Sequence, residues 1–194
     1  MNKSLYLFVG RSASGKTTIA NMLESQYDFC QLQSYTTRPK RSEDETGHTF
    51  ITNDEFDKLE NIIGYTEYNG YRYCATKEQI DAVDIYVIDP FGVKTLLERY
   101  DSDRHVVVIY FDASIRTRID RMISRHDSDM AIVSRLYNDE AFDWKKDLKD
   151  TVSLYRSTPN KYVTMYVIDA NKNMDDVMDQ IHICMTLKTG GLNQ

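Results

Sequence analysis

The chain has 194 residues, enough for one domain and too few for two ordinary ones. Apolar residues make up 41% and charged residues 28%, with three Pro and eight Gly, which excludes disordered and collagen-like chains. A formal charge of −6 argues against an obligate nucleic-acid binder or a polybasic membrane-surface protein, while leaving room for a local phosphate pocket.

In chain order, the first signal is the apolar run of residues 5–9, which ends at a glycine. It is too short for a signal-peptide core or a membrane span and reads as a buried strand, followed by a loop and a helix over 17–24. Further apolar, β-branched runs at 85–88, 106–111 and 162–168 predict strands, each followed by a predicted helix at 91–100, 115–125 and 174–187. Runs without alternation suit strands covered on both faces, so this rhythm predicts an α/β doubly wound parallel sheet. Residues 34–82 break the rhythm with short, Tyr- and Thr-rich alternating segments. Among them, Asn69-Gly70 between 65–68 and 71–73 is a hairpin signal, and the stretch reads as a mainly antiparallel inserted lobe. Residues 126–149 are polar and helical, with Asp129 as the expected N-cap and Trp144 as one packed anchor. Cys30, Cys74 and Cys184 form no C-x-x-C pair, so neither a zinc ribbon nor a disulfide framework is indicated. The expectation is a reduced, cytoplasmic, enzyme-sized domain.

Gly10-Arg11-Ser12-Ala13-Ser14-Gly15-Lys16-Thr17, continued by Thr18, fits G-x-x-x-x-G-K-[ST] between a predicted strand and a predicted helix. The glycines let consecutive backbone N–H groups face phosphate oxygens, and the helix N-terminus adds partial positive charge. Lys16 supplies a full charge to the β- and γ-phosphates, and the Thr17 hydroxyl is placed to ligate Mg²⁺ beside ATP. The loop alone does not choose between a GTPase, an ATPase motor and a small-molecule kinase. No N-K-x-D motif supports a GTPase.

Other residues carry charge suited to phosphate. Arg38 and Arg41 stand three apart in one loop, so both guanidinium forks can grip one phosphate. The competing view is a solvated basic patch neutralised by Glu43, Asp44 and Glu45. Arg121 and Arg125 share a helical face and repel unless an anion lies between them, with Asp120 and Asp127 as local alternatives. Asp89 ends a buried strand, where it can order an acceptor or a Mg²⁺-bound water, or cap a helix opening on Pro90.

Ser34-Tyr35-Thr36-Thr37-Arg38-Pro39-Lys40-Arg41, followed by the acidic residues and Gly47, resembles the S-x-T-T-R-x-x-R signature of guanylate kinases. Glu67, Asn69-Gly70 and Tyr73 resemble that family's acid–aromatic–x-G-x-x-Y segment, and Asp89-Pro90-Phe91-Gly92-Val93 its D-x-x-G-V strand end. Arg121, Arg125 and Arg135 resemble its lid arginines, with Ile132-Val133-Ser134-Arg135-Leu136 close to the last lid motif. The resemblance spans about residues 4–187. It implies a P-loop nucleoside-monophosphate kinase in one domain, 1–188. The core would be 1–33, 83–125 and 150–188, the NMP-binding lobe 34–82 and the helical lid 126–149, with a flexible tail at 189–194. The implied activity is ATP- and Mg²⁺-dependent phosphorylation of GMP and dGMP by a monomer or homodimer, with no nucleic-acid or membrane partner. The implied catalytic residues are Lys16, Arg121, Arg125 and Arg135. Implied acceptor contacts are Ser34, Arg38, Arg41, His48, Glu67, Tyr73, Thr76 and Asp89.

The chain departs from the family at base-reading positions. Gly64 stands where an acid usually reads guanine, and Cys74-Ala75-Thr76 replaces Gly followed by Ser or Thr. His48 is the nearest candidate for a phosphate-contacting tyrosine, or else an ordinary loop side chain. These departures leave open another nucleoside monophosphate or a phosphorylated ribose as acceptor. A non-catalytic interaction module of the same fold is the remaining alternative, with Lys16, Thr17 and the three arginines speaking against it.

Overall fold

The computed structural model describes residues 4–40, 43, 45–140, 143–156, 158 and 162–187. Arg41 and the tail expected at 189–194 lie outside the described residues. In chain order the first elements are β1 (Leu5–Val9), α1 (Lys16–Tyr27), β2 (Ser34–Thr36), β3 (His48–Phe50) and α2 (Asn53–Phe56). Next come β4 (Ile62–Tyr68), β5 (Tyr71–Thr76), α3 (Lys77–Ala82), β6 (Ile85–Val87), α4 (Pro90–Arg99) and β7 (Val106–Asp112). The chain continues through α5 (Ile115–Ser124), α6 (Asp129–Glu140), α7 (Trp144–Arg156), β8 (Val163–Asp169) and α8 (Met174–Thr186).

The first sheet has the order β6-β1-β7-β8, and every pairing in it is parallel. Alternation along β1 and β7 divides the core in two. Leu5, Leu7, Val9, Val106 and Val108 face Leu96 and Leu97 of α4 and Leu148 and Val152 of α7. Phe8, Val107, Ile109 and Phe111 face Ile19 and Leu23 of α1 and Val177 and Ile181 of α8. The facing pairs of α1, α7 and α8 are spaced by four, the stripe a helix needs to bury against a sheet. With both faces covered, the strand needs no polar alternation, which explains the uninterrupted apolar runs.

The second sheet has the order β3-β2-β5-β4. Its β4–β5 hairpin turns through Asn69 at φ 53° and Gly70 at φ 75°, the paired positive φ that matches strand twist. The β2–β5 pairing is also antiparallel, whereas β2 and β3 pair in parallel. A register shift between Ile63 and Thr66 bends β4 at Gly64, whose φ is 66°. The second sheet is rooted in the first core through Ile63, Ala75 and Ile80, which pack with Tyr86 and Ile88.

Two local expectations shift. Ser128, not Asp129, caps α6: its Oγ accepts from the Ala131 N–H at 3.3 Å and its carbonyl from Ile132 at 3.0 Å. Asp129 is the first helical residue. Helix α7 continues unbroken past residue 149 and buries Leu148 and Val152 in the core, so 144–149 pack with the first sheet's covering helices.

Candidate functional site

The segment between β1 and α1 wraps tightly because it has almost no side-chain volume to place. A Cβ at Gly10 would lie 2.8 Å from the Phe111 carbonyl oxygen and 2.8 Å from Ser14 Oγ. Helix α1 then opens on Gly15, at φ 102°, with no side-chain cap. The other described helices carry one, from Thr52, Thr76, Asp89, Ser114, Ser128, Asp143 and Asn173. The α1 terminus therefore keeps its N–H donors and positive dipole end for an anion. Thr17 and Thr18 sit exposed in its first turn.

Lys16 Nζ lies inside the loop and donates to the carbonyls of Gly10 (2.6 Å) and Arg11 (3.0 Å) and to Ser14 Oγ (3.3 Å). Burial lowers its pKa to about 8, with the Asp139 carboxylate opposing that shift. Ala13 takes a left-handed φ of 61°. Arg121 reaches the same loop from behind, donating to the carbonyls of Ala13 (3.3 Å) and Ser14 (3.1 Å) and to Ala170 at 2.8 Å. It braces these loop carbonyls, with Nη1 3.7 Å from where a Cβ on Gly15 would stand at the start of α1.

The sequence reading missed Arg118 and Asp139, which are both 1% exposed and paired at 3.1 Å. Asp139 Oδ2 also accepts the Ser12 backbone N–H at 2.8 Å, and its carbonyl accepts from Arg11 Nε at 3.2 Å. Glu140 extends the pair, 3.0 Å from Arg118 and 3.5 Å from Arg11. Asp139 stands four residues beyond Arg135, so spacing reveals a shared face, not what that face meets.

A cleft of about 220 Å³ joins this loop to the second sheet. It brings Ser12, Lys16 and Asp139 opposite Ser34, His48 and Tyr73, with Tyr86 and Asp89 between them. Ser34 Oγ and His48 Nδ1 share a hydrogen bond of 2.8 Å, and the His48 ring meets Tyr73 edge-on at 5.7 Å. Asp89 caps α4 with Oδ1, accepting from Phe91 (2.9 Å) and Gly92 (3.0 Å). Burial raises its pKa despite those bonds.

The remaining predicted residues stand elsewhere. Arg38 is nearly buried over the Phe50 ring and makes a forked pair with Glu45 at 2.7 and 3.2 Å. Arg125 and Arg135 both hold Asp127, at 3.1 and 2.5 Å, whereas Arg121 is held by backbone carbonyls. The Thr76 hydroxyl caps α3 through a reciprocal box with Gln79. Glu67 accepts from the Tyr65 hydroxyl and lines an adjoining chamber, not the cleft. Beside Gly64, Tyr86 fills the space: a Cβ there would lie 3.3 Å from its Cε1 and 3.6 Å from its hydroxyl. Among the described residues, no group of three or more His, Cys, Asp or Glu could hold a metal ion. No described helix is long and apolar enough to cross a membrane.

Comparison with family models finds no match, and comparison with curated proteins finds none. Among solved structures, the chain is similar to a guanylate kinase from Anaplasma phagocytophilum at 19% identity and a TM-score of 0.57. The match covers 98% of this chain and 88% of the other. At that identity the likeness establishes the fold.

Proposed function

We propose that the protein transfers the terminal phosphoryl group of ATP to a nucleoside monophosphate, with GMP and dGMP as the leading acceptors. One observation carries the reading. The uncapped, lysine-bearing start of α1 opens on the same cleft as Ser34, His48 and Tyr73 of the second sheet. Two phosphates repel, so a phosphotransferase needs donor groups on both sides of the gap.

In this reading the loop N–H groups and Lys16 hold the ATP phosphates, and Asp139 releases the Ser12 N–H as phosphate arrives. Mg²⁺, held by the Thr17 hydroxyl and the phosphate oxygens, would neutralise charge on the transferring group. An exposed hydroxyl in the first turn of α1 fits that duty. Arg38 would exchange Glu45 for the acceptor phosphate, joined by Arg41. Arg125 and Arg135 would exchange Asp127 for the moving phosphoryl, within a lid formed around α6. Residues 34–82 would be the acceptor lobe. Asp89, fixed by its two cap bonds, borders the acceptor.

The packing of Tyr86 against Gly64 favours a second reading, the same transfer to a different monophosphate. No carboxylate can occupy that corner without displacing the ring. The test is release of ADP from Mg-ATP with GMP, dGMP, AMP, CMP, UMP and dTMP in turn. Turnover with GMP and dGMP alone supports the first reading, and turnover with another monophosphate moves the function to the second. No turnover with any of them overturns both.

A further inference from the structure

The two edges of the first sheet are finished differently. Alongside β6, the Ile85 N–H donates to the Cys30 carbonyl at 3.0 Å and the Leu32 N–H to the Ile85 carbonyl at 2.8 Å, so residues 30–32 cover that edge. The opposite edge is β8, which pairs with β7 in one unbroken register from Val163 to Asp169. The Val106 N–H donates to the Tyr162 carbonyl and the Ala170 N–H to the Asp112 carbonyl, which fixes the alternation along β8. The backbone groups of Thr164, Tyr166 and Ile168 therefore face β7, and those of Val163, Met165, Val167 and Asp169 face outward.

Side chains close both ends of this outward row. Arg156 Nε donates to the Val163 carbonyl at 3.1 Å. The Gln180 amide engages Asp169 twice, accepting from its N–H at 2.8 Å and donating to its carbonyl at 3.2 Å. Between these caps, the outward N–H and C=O groups of Met165 and Val167 meet no partner among the described residues. Residues 163–168 contain no Lys, Arg or Pro and no bulge, the features that keep an edge strand from pairing. Ile183 and Leu187 stand three and seven residues beyond Gln180, so they share its face of α8, and both are more than half exposed.

We propose that this edge joins a second copy of the chain, β8 to β8 in antiparallel pairing about a two-fold axis through Tyr166. The open stretch is self-complementary. Met165 falls opposite Val167 of the second copy, and Val167 opposite its Met165, so each pair exchanges both N–H···O bonds. Tyr166 meets its own counterpart at a non-hydrogen-bonded position, where side chains approach most closely. The same register sets Val163, with Arg156 on its carbonyl, opposite Asp169 of the second copy. Arg156 and Asp169 are both exposed, so each end of the joint brings a guanidinium to a carboxylate. The apolar face of α8 beside the edge is covered in the same step. One sheet then runs through both copies, and the antiparallel axis sets their phosphate loops at opposite ends of it. None of this depends on the phosphotransfer reading.

Sedimentation of the full chain from low to high micromolar concentration is expected to show a monomer–dimer equilibrium. Amide exchange followed by NMR should show Met165 and Val167 slowing as the dimer fills, while Thr164 and Tyr166, bonded to β7, stay slow throughout. Val167→Lys puts a charge on the edge and should weaken association about tenfold or more. Arg156→Glu and Asp169→Arg should each weaken it about tenfold, and the double variant, which rebuilds the pair with its signs exchanged, should recover most of that loss. The charge series decides the matter even if Val167→Lys fails to fold.

A monomer at every concentration overturns the proposal. So does a dimer in which the Met165 and Val167 amides still exchange freely, or one that folded Val167→Lys leaves at full strength, because another face then holds the copies together. A double charge variant no tighter than the single ones overturns the register through Tyr166.

Discussion

The two sheets of this molecule are held together by different forces. In the first, β1 and all of β7 but Asp112 are buried, and apolar packing on both faces stabilises them. In the second, buried positions include Ser34, Thr36, Arg38, Thr66 and Thr76. There a hydrogen bond between Ser34 and His48 and ion pairs from Arg38 and Arg72 do much of the joining. Apolar packing is indifferent to ligands, whereas the Arg38–Glu45 pair holds a carboxylate whose place an anionic ligand can take. The comparison teaches that stability is concentrated in one sheet and exchangeable contacts in the other.

The largest expected effect tests a place where the apolar side breaks its own rule. Arg118 and Asp139 form a fully buried ion pair beneath the phosphate loop. Asp139→Asn leaves the buried guanidinium only the half-exposed Glu140 as a counter-charge and is expected to lower unfolding free energy by up to about 3–5 kcal/mol in denaturant titration. The pair Arg118→Met with Asp139→Leu should recover most of that loss. If the double variant is no more stable than Asp139→Asn, the cost lies in the lost Ser12 contact, not in an unpaired charge.

The next two effects separate function from stability. Lys16→Ala is expected to reduce turnover by about 10²–10³-fold with little change in melting temperature. Turnover close to that of the unaltered protein would remove Lys16 from the chemistry. Arg38→Ala is expected to raise the acceptor KM by roughly 10- to 100-fold and to leave the ATP KM near its original value. If both constants rise together, Arg38 supports the sheet through Glu45 and does not clamp the acceptor.

The same contrast explains what was legible in the sequence. Strands of the first sheet are visible to within a residue, because burial on both faces leaves unbroken apolar runs such as 106–111. The phosphate loop is visible because its geometry tolerates few residue types at Gly10 and Gly15. The second sheet is harder to read. Strands β2 and β3 have three residues each, and nothing in Ser34–Thr36 or His48–Phe50 dictates that they pair in parallel. Thr76 carried a local sign of its real bond, since Thr76 and Gln79 have the spacing of a capping box. Tyr86 reads as part of an apolar strand, and only the contact across Gly64 reveals its place at the cleft. Arg118 and Asp139 escape a reading of the sequence because spacing identifies a helix face and not its neighbour.

The smallest effect is a pH response confined to the loop. The folded chain holds Lys16 near a pKa of about 8, below the ordinary lysine value, chiefly through burial. Between those two values the unfolded chain carries more protons than the folded one, so this residue's contribution makes stability rise with pH across that window. Bound phosphate has the opposite preference, because it favours the charged ammonium. Nucleotide binding above pH 8 therefore takes up a proton, and affinity should fall as pH climbs. One side chain thus produces two slopes of opposite sign, stability increasing while affinity declines. Lys16→Met should flatten both, and Lys16→Arg, charged throughout, should flatten the affinity slope. Melting temperatures and ATP dissociation constants from pH 7 to 10 measure the two trends on the same samples. An affinity slope that persists in Lys16→Met would place the titrating group outside the loop, and the contrast between an inert apolar sheet and a responsive phosphate site would then need a different residue.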